Sequence, residues 1–460
     1  MKNILFLIAD DLGMELGCYG NRAAKTPNID RLAAAGIVFA EYFCTTATCS
    51  ASRSVMFTGR HNHETGHYGH CHGYHHFTTF EDIKTAPAIF RENGYFTALV
   101  GKKHVGPQAV YPWEYEFAEG FNGNRDVQAI SKKAGELFRD SQDRPFFLTI
   151  GFGDPHRDNT RKGFFNQDHP GIIRNEFEPY QLPIPSILPD LPETRLELAE
   201  YYQAVNRLDQ GVGMVLEQLH QAKKTEETLI IFLSDNGIPF INSKTTMYDA
   251  GIHLPFIMKV PGRKSGIRNQ NMISAVDVLP TFMDWAGIKN QLSGCRGRSL
   301  LPIAEKTAEL TDWDHIFGSH TFHEITNCYP IRMLRTRKYK YSKNVLWKLD
   351  FPFAADLYAS PTWEAIRLKN GKIGKRPITN YVRRPLEELY DIETDPDEVN
   401  NLAEQPEYRN ILCQMRQTVD QWQEETDDPW LFRDGVSYRG VKRYIKEGLK
   451  LPDANDMLLQ

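Results

Sequence analysis

The sequence predicts an α/β protein in which helices flank a large, mostly parallel sheet and a smaller α+β domain follows. Three observations support this fold class. Short apolar runs alternate with helical patterns through the first two thirds of the chain, and shorter aromatic and basic runs replace them beyond about residue 310. The chain of 460 residues is also longer than a domain with a single hydrophobic core usually is. We therefore expect a domain over 1–309 and a second domain, with an antiparallel sheet and a closing helix, over 310–460.

Four apolar runs have the length of buried strands and show little polar alternation, which is typical of parallel sheets covered on both faces. They are Asn3 to Ala9, Tyr95 to Val100, Pro145 to Phe152 and Thr228 to Leu233. The first run is shorter than the apolar core of a signal peptide and ends in Asp10. We therefore expect a strand there. A periplasmic or secreted location would need a leader removed before this numbering begins, and a cytoplasmic location follows otherwise.

Helical patterns stand between and after these runs. Thr26 and Pro27 form an N-cap followed by a first-turn proline, and Asn93 marks the end of a second helix just before a strand. A long periodic segment covers 193–222, and a closing helix is predicted near 408–425. This alternation of strands and helices is what predicts a parallel sheet with helices on both faces.

The composition is that of an ordinary globular protein, with 41% apolar and 25% charged residues. A formal net charge of -5 does not favour a nucleic-acid-binding surface. No stretch approaches the roughly 20 apolar residues that a membrane-spanning helix needs. The seven cysteines are scattered and odd in number, unlike a disulfide framework, so at least one thiol needs another explanation.

Polar residues follow the predicted strands, at the edge where parallel α/β sheets place their chemistry. Asp10 and Asp11 follow the first strand, and Asp235 and Asn236 follow the fourth. These four side chains offer oxygen ligands only, which suits Ca²⁺ or Mg²⁺ better than zinc. An Asp-Asp pair alone is more often a turn or a helix cap. Two such strand ends in one sheet favour a cation site.

The segment from Cys49 to Arg53 has the sequence Cys-Ser-Ala-Ser-Arg, and Thr-Gly-Arg follows at 58–60. It resembles the signature of the sulfatases, in which the cysteine is oxidised after translation to formylglycine. That family usually has proline where this chain has Ala51. A hydrated aldehyde carries two geminal hydroxyls, so attack on sulfur and release of sulfate can use different oxygens. The alternative is an inert, buried structural cysteine.

The resemblance to sulfatases extends over nearly the whole chain and implies an alkaline-phosphatase-like fold. It implies that the four oxygen ligands above bind Ca²⁺, or Mg²⁺, together with an oxygen of the formylglycine made from Cys49. Further active-site residues of the family match these positions of the chain: Arg53, Lys102, His104, His156 and Lys244. Such a basic cluster would bind a small tetrahedral anion and stabilise the charge that develops during transfer.

Within the family, the chain resembles most closely the sulfamidases, which cleave an N-sulfate. The resembling segments are 101–107, 234–240, 323–326 and 427–430. The likeness implies an exo-acting sugar pocket in which we expect Asp154, Glu324 and His75 to contact the substrate. The chain departs from the family between His61 and His76, where seven histidines stand with Cys71. A zinc site is one alternative there, and hydrogen-bonding histidines in a sugar pocket are the other.

We therefore expect a sulfatase that hydrolyses the N-sulfate of terminal N-sulfoglucosamine in heparan-type glycans. His156 would protonate the leaving group, and His104 would accept a proton during release of sulfate. The expected partners are a sulfated mono- or oligosaccharide and a formylglycine-generating maturase, and a homodimer is a possible assembly. Three alternatives stay open: an exo O-sulfatase on another sulfated glycan, a phosphodiesterase or phosphonate hydrolase, and a sulfosugar-binding protein in which Cys49 is not oxidised.

Overall fold

The structure is a computed structural model that describes residues 2–161, 163–289, 293–369, 371–433 and 435–451. Residues 452–460, the end of the predicted C-terminal domain, lie outside this part of the chain. The described residues form an eight-stranded sheet, a four-stranded sheet and two pairs of very short strands. Among these residues, no helix combines the length and the apolar character that crossing a lipid bilayer requires.

The larger sheet is mixed and mostly parallel, as predicted. Its strands are β1 (Asn3–Ala9), β2 (Ile37–Phe43), β3 (Phe96–Gly101), β4 (Tyr115–Phe117), β5 (Phe146–Gly151), β6 (Thr228–Ser234), β7 (His253–Lys259) and β8 (Ile267–Ser274). They lie in the order β4-β3-β5-β1-β6-β7-β2-β8. Neighbouring strands are parallel except at β7, which runs antiparallel to both β6 and β2.

Strand β1 lies inside the sheet, and every one of its residues is buried. It pairs in parallel with β5 on one side and with β6 on the other, and β5 pairs in parallel with β3. The carboxyl ends of these four strands therefore meet at one edge. The segments that follow them carry most of the predicted site residues.

Helices cover both faces of this sheet. In chain order they are α1 (Pro27–Ala34), α2 (Cys49–Thr58), α3 (Asn62–Thr65), α4 (Ala86–Glu92), α5 (Val127–Asp140), α6 (Pro192–Gln221), α7 (Asp249–Ile252) and α8 (Val278–Ala286). Phe147 packs against Phe90 of α4 and Phe282 of α8, whereas Phe146 packs against Phe138 of α5. Adjacent strand residues point to opposite faces, so α4 and α8 lie on one face and α5 on the other.

The smaller sheet is antiparallel and lies in the second part of the chain. Its strands are β9 (His315–Phe322), β10 (Cys328–Thr336), β11 (Tyr339–Asn344) and β14 (Glu387–Asp391), in the order β14-β11-β10-β9. The two short pairs are β12 (Lys372–Ile373) with β13 (Arg376–Pro377), and β15 (Phe432–Arg433) with β16 (Val436–Ser437). The remaining helices are α9 (Ala355–Tyr358), α10 (Pro361–Leu368), α11 (Ile378–Val382), α12 (Arg409–Glu425) and α13 (Tyr438–Lys446).

Helix α12 is the predicted closing helix. Its Trp422 stacks on Phe317 of β9, with ring centroids 4.9 Å apart and planes at 7°. Leu412, Met415 and Val419 of the same helix are buried in the core between this helix and the small sheet. The predicted antiparallel sheet and closing helix are thus both present. The boundary at residues 309 and 310 stays a prediction.

Candidate active site

A cavity of about 720 Å³ opens at the carboxyl edge of the larger sheet. Several of the predicted site residues line this cavity: Asp10, Cys49, Lys102, His104, His156, Lys244 and Glu324. They come from loops after β1, β3, β5 and β6, from the start of α2 and from the loop between β9 and β10. The fold therefore brings together groups that lie hundreds of residues apart in sequence.

Cys49 is the first residue of α2, a helix whose residues are all buried. Thr48 precedes it with an extended backbone in the N-cap position, so the free N–H groups of the helix start beside the thiol. The positive end of the helix dipole favours an anion at this place. Burial raises the pKa of the Cys49 thiol to about 12. An unmodified thiol would therefore stay protonated near neutral pH and be a weak nucleophile.

Asp10, Asp11 and Asp235 each place a carboxylate oxygen within 4.8 Å of the others. Asn236 Nδ2 donates to Asp11 Oδ1 at 2.7 Å, which leaves Asn236 Oδ1 buried without a hydrogen-bond partner. Asp10 Oδ1 is likewise buried without one. A buried oxygen without a partner lowers the stability of the folded protein. A cation bound by these side chains would give both oxygens a partner. The donor set fits Ca²⁺ or Mg²⁺.

Arg53 lies beneath the carboxylates, one helical turn after Cys49 and on the same side of α2. Its Nε donates to Asp235 Oδ2 at 2.8 Å, and its Nη1 donates to the Lys102 carbonyl oxygen at 2.9 Å. Its Nη2 lies 3.8 Å from Asp10 Oδ1. Burial raises the pKa of Asp235 to about 7, although Arg53 opposes this. A bound cation would favour the ionised carboxylate further.

Lys102 reaches the same cluster from the end of β3. Its Nζ lies 2.5 Å from Asp10 Oδ2, while its backbone N–H donates to the Gly151 carbonyl at 2.6 Å. Only glycine allows this approach, because a Cβ atom at position 151 would collide with the Lys102 backbone. Burial opposes ionisation of Asp10, but the charges of Lys102 and Arg53 hold its pKa well below the usual range.

Lys244 lies in the loop after β6 and is almost fully buried. Its Nζ donates to Asp11 Oδ2 at 2.9 Å, to His156 Nε2 at 3.0 Å and to Asp356 Oδ2 at 3.0 Å. The other ring nitrogen of His156, Nδ1, lies 2.5 Å from the Arg157 carbonyl oxygen. Burial, reinforced by the Lys244 charge, lowers the pKa of His156. A neutral His156 therefore carries its proton on Nδ1 and accepts from Lys244.

His104 belongs to a group of histidines on one wall of the cavity. Its Nε2 lies 2.8 Å from His72 Nδ1, and His70 Nε2 lies 3.1 Å from His323 Nε2. Burial lowers the pKa values of His70, His104 and His323 far below the ordinary value, and the charge of Lys102 adds to this effect at His104. These rings are therefore neutral near neutral pH.

The backbone is strained at several site positions. Asp11, His104 and Thr245 have positive φ angles of 61°, 53° and 67°. Non-glycine residues adopt this region rarely, and it costs energy that the surrounding contacts must offset. The strained residues follow β1, β3 and β6, so the chain turns sharply at the sheet edge and directs polar groups into the cavity.

The prediction that Asp154 contacts a sugar does not fit the structure. The Asp154 side chain is fully buried, and Arg207 holds its two oxygens at 2.6 and 2.7 Å. Arg125 Nε lies 3.5 Å away from one of them. The carboxylate is therefore engaged in a buried ion pair. Arg125, unlike Asp154, lines the cavity.

Glu324 does line the cavity and is half-buried, as a sugar-binding carboxylate should be. Asn327 Nδ2 donates to one of its oxygens at 3.3 Å. His75, by contrast, is buried and accepts a hydrogen bond from the Ile325 backbone N–H at 3.1 Å. His75 therefore holds the backbone of the loop that carries Glu324. This position does not favour the predicted direct contact of His75 with the substrate.

Sequence reasoning missed Asp356, on α9, which lines the cavity and holds Lys244. It also missed His70, His72 and Arg125 as individual cavity residues, although both histidines lie in the unusual 61–76 stretch. That stretch was a signal for the two histidines, and no sequence motif pointed to Arg125. Cys71 lines the cavity, yet it belongs to none of the candidate metal-ligand groups found among the described residues.

Family models match most of the chain. A model described as Sulfatase matches residues 2–288, and a model described as N-sulphoglucosamine sulphohydrolase, C-terminal, matches residues 240–362. Human N-sulphoglucosamine sulphohydrolase is 35% identical over 469 residues, which cover 95% of this chain and 92% of that protein. An ulvan-active sulfatase of Formosa agariphila is 30% identical over 442 residues, covering 93% of this chain and 80% of the relative.

Solved structures share the fold. A protein in complex with its substrate D-glucosamine-2-N,6-O-disulfate has a TM-score of 0.67 at 19% identity, covering 93% of this chain and 98% of the other. The phosphonate monoester hydrolase of Agrobacterium radiobacter has a TM-score of 0.66 at 19% identity, covering 94% and 97%. At these identities the likeness shows the architecture alone, which serves both sulfate and phosphonate chemistry.

The family assignment therefore rests on the sequence matches. They span the predicted cation ligands, the Cys49 segment and the loops that carry Lys102, His156 and Lys244. Sulfatases hydrolyse sulfuric esters of sulfated sugars and generally depend on formylglycine and a metal ion. On the length and identity of these matches, this chain belongs to the sulfatase family.

Proposed function

We propose that this protein removes the N-sulfate from a terminal N-sulfoglucosamine, with formylglycine at position 49 as the nucleophile. The observation that carries the proposal is the position of Cys49, which lies at the cavity surface on a helix N-terminus. Three cationic side chains and a set of buried carboxylates surround it. The human relative at 35% identity is named for this reaction, and its C-terminal family model also matches this chain.

The charges at the cavity floor suit a divalent cation and a sulfate group. Four carboxylates (Asp10, Asp11, Asp235 and Asp356) face three fixed cations (Arg53, Lys102 and Lys244). When all are ionised, this set carries one excess negative charge. A divalent cation would change the balance to one positive charge, which favours a sulfate monoanion.

We further propose Ca²⁺ as the cation, held by Asp10, Asp11, Asp235 and Asn236. Ca²⁺ accepts six to eight oxygen ligands in flexible geometry, and Mg²⁺ demands a stricter octahedron. When bound, such a cation acts as a Lewis acid that neutralises sulfate oxygens and lowers the pKa of the attacking hydroxyl. The formylglycine hydrate supplies two hydroxyls on one carbon, which is the chemistry that a thiol lacks.

The remaining roles fall to side chains already in place. Lys102 and Lys244 would bind sulfate oxygens, and Arg53 would hold the residue at position 49 against the cation site. His156 and the Lys244 ammonium, joined at 3.0 Å, would deliver a proton to the leaving nitrogen. Proton donation of this kind is worth ~10²- to 10⁴-fold in rate. His104, as a neutral imidazole, would accept the proton released at position 49.

Glu324 is our candidate for the sugar contact. Its carboxylate can accept hydrogen bonds from sugar hydroxyls, and its loop is braced by His75. A maturase that converts Cys49 is the partner that the proposal requires. The homodimer stays a prediction, and size-exclusion chromatography with light scattering would test it.

An exo O-sulfatase activity on another glycan is the second candidate. The ulvan-active relative at 30% identity favours it. The same cation site and nucleophile serve either leaving group. The cavity wall beyond the sulfate, which includes His70 and His72 in this chain, would decide between the two sugars.

The test uses protein that is co-expressed with a formylglycine-generating maturase, with conversion of Cys49 confirmed by intact mass. Release of sulfate is compared between N-sulfoglucosamine and 6-O-sulfated N-acetylglucosamine. We expect release from the first alone, and no release by the Cys49→Ala variant, with its circular-dichroism spectrum unchanged. Turnover by that variant would overturn the mechanism, whereas release from the second sugar alone would leave the mechanism and replace the substrate.

A further inference from the structure

Two histidines and a cysteine meet beside the oxygen ligands of the cation site. Cys49 Sγ and one ring nitrogen each of His70 and His104 all lie within 4.8 Å of one another. The rings of His70 and His104 are roughly parallel, with centroids 4.9 Å apart and planes at 29°. All three side chains line the cavity, so a small ion can reach them.

In both imidazole rings, one nitrogen contacts another histidine and the other nitrogen has no partner. His70 Nε2 contacts His323, and His104 Nε2 contacts His72. The Nδ1 atoms of both His70 and His104 are buried and have no hydrogen-bond partner. Metal-bound histidines commonly use one nitrogen for the metal and the other for a hydrogen bond that fixes the ring. His70 and His104 are arranged in this way, with one nitrogen of each left over.

We propose that the unconverted protein, with a thiol at position 49, binds Zn²⁺ through Cys49, His70 and His104. Zn–S and Zn–N bonds of about 2.3 and 2.0–2.1 Å in a tetrahedral site place the ligand atoms about 3.3–3.6 Å apart. The three ligand atoms lie within 4.8 Å of one another, so zinc binding would draw them closer together. The fourth position faces the cavity and would take water.

This site differs in chemistry from the oxygen site beside it. Thiolate and imidazole select a borderline-soft cation, whereas Asp10, Asp11 and Asp235 select a hard one. On binding, the Cys49 sulfur forms a bond to zinc and the thiol proton passes to solvent, so no oxidant or reductant is needed. Conversion of Cys49 to an aldehyde removes the sulfur. The zinc site therefore belongs to the unconverted protein alone.

The experiment uses protein expressed without a maturase, with the free thiol verified by intact mass. Excess Ca²⁺ is added first to occupy the oxygen ligands. Titration with Co²⁺, a spectroscopic substitute for Zn²⁺, should then produce a thiolate-to-cobalt charge-transfer band that saturates at one equivalent. Added Zn²⁺ should remove the band. No sulfatase assay is involved, so the result is independent of the proposed function.

Matched variants identify the ligands. Cys49→Ser should abolish the band, whereas Cys71→Ser, at the other thiol of the same cavity wall, should retain it. His70→Gln should weaken Co²⁺ binding at least about tenfold, and His76→Gln, at an exposed histidine of the same segment, should leave the affinity unchanged. Thermal unfolding shows whether each variant is folded. If His70→Gln does not fold, His104→Gln takes its place.

The proposal fails if the thiol protein shows no charge-transfer band. It also fails if the band persists in Cys49→Ser. Loss of the band in folded Cys71→Ser would likewise contradict the proposed ligand set. Unchanged affinity in folded His70→Gln would remove that histidine from the site and overturn the three-ligand arrangement.

Discussion

Lys244 Nζ lies 3.0 Å from Asp356 Oδ2, and this ion pair joins the loop after β6 to helix α9 across 112 residues of sequence. Lys244 also donates to Asp11 and His156. One buried ammonium therefore connects the proposed cation ligand Asp11, the proposed acid and the second half of the chain. Burial opposes ionisation of Asp356, but the lysine charge holds the pKa of this carboxyl well below its usual range.

Removal of the Asp356 charge should impair catalysis without unfolding the protein. In Asp356→Asn, Lys244 keeps its bond to Asp11 but loses an ionic partner that fixes its position. We expect kcat/KM to fall about 10- to 100-fold, equivalent to about 1.4–2.7 kcal/mol of transition-state stabilisation. Steady-state kinetics of the matured protein measure the change.

The control for Asp356→Asn is Asp350→Asn. Asp350 lies nearby in sequence, but its side chain is 70% exposed and pairs with the exposed Arg383. Exposed ion pairs contribute little, so its kinetics should match the parent. Activity of Asp356→Asn within twofold of the parent would show that Asp356 does not position Lys244.

A second prediction separates two carboxylates that sequence reasoning grouped together. Glu324→Gln should raise KM for the sulfated sugar about tenfold and leave the free energy of unfolding unchanged, because Glu324 lines the cavity and is only half-buried. Asp154→Asn should lower the free energy of unfolding by about 3–5 kcal/mol, because a buried Arg207 loses its partner. Urea unfolding and steady-state kinetics are measured on both variants.

Asp168→Asn is the control for this comparison, since the Asp168 side chain is 94% exposed. It should change neither quantity. If Asp154→Asn is as stable as the parent and raises KM, Asp154 contacts the sugar directly after all. If Glu324→Gln leaves KM unchanged, the sugar carboxylate must be sought elsewhere on the cavity wall.

The contrast between these carboxylates shows what the sequence could predict. Local patterns were sufficient for β1, for α1 and for α6, which extends over Pro192–Gln221 where 193–222 was expected. Apolar length and capping residues determine such elements locally. The strand-end position of Asp10 and Asp235 followed from the parallel sheet, and the structure brings them together.

Pairing across the chain could not be read from the sequence. Asp154 follows a strand, yet Arg207 from α6 occupies its oxygens. Asp356 has no motif around it, and only the tertiary fold brings it to Lys244. Strands β2, β7 and β8 were not predicted, and the antiparallel direction of β7 depends on the strands that pack beside it. Side-chain partners, unlike elements, depend on which distant segments pack together.

Removal of the proposed cation should lower both activity and thermal stability. The oxygens of Asp10, Asp11 and Asp235 lie within 4.8 Å of one another, and Asp10 Oδ1 and Asn236 Oδ1 are buried without a hydrogen-bond partner, so a cation would stabilise both groups of oxygens. A cation at 100 times its Kd stabilises the folded state by about 2.7 kcal/mol. We expect EGTA or EDTA treatment to lower the melting temperature, and Ca²⁺ to restore both properties better than Mg²⁺.

Asp235→Asn is the matched variant for the metal experiment, because it keeps the size of the side chain and removes one charged ligand. Its melting temperature should respond much less to Ca²⁺ than that of the parent. A metal-free parent that melts at the same temperature with and without Ca²⁺ would contradict the cation site. Better recovery with Mg²⁺ would change only the identity of the ion.

Acid should destabilise the protein through His63, which lies on α3 far from the cation ligands in sequence. Its ring is buried, Nδ1 lies 2.8 Å from Ser319 Oγ and Nε2 lies 2.9 Å from Thr426 Oγ1. Burial lowers the pKa of His63 to about 3, against about 6.5 in an unfolded chain. Between these values the unfolded state binds the proton and the folded state does not. The free energy of unfolding therefore decreases as the pH is lowered through this range, by up to about 1.4 kcal/mol per pH unit for this group.

Replacement of His63 removes this contribution and gives the test. Urea unfolding of the parent and of His63→Gln is measured from pH 7 to pH 4.5. We expect His63→Gln to be less stable than the parent at pH 7, where it loses hydrogen bonds, and to lose less stability on acidification. His76→Gln, at an exposed histidine, should follow the parent curve. Parallel pH curves for the parent and His63→Gln would mean that His63 is protonated in the folded state or does not become protonated on unfolding, and that other groups cause the acid sensitivity.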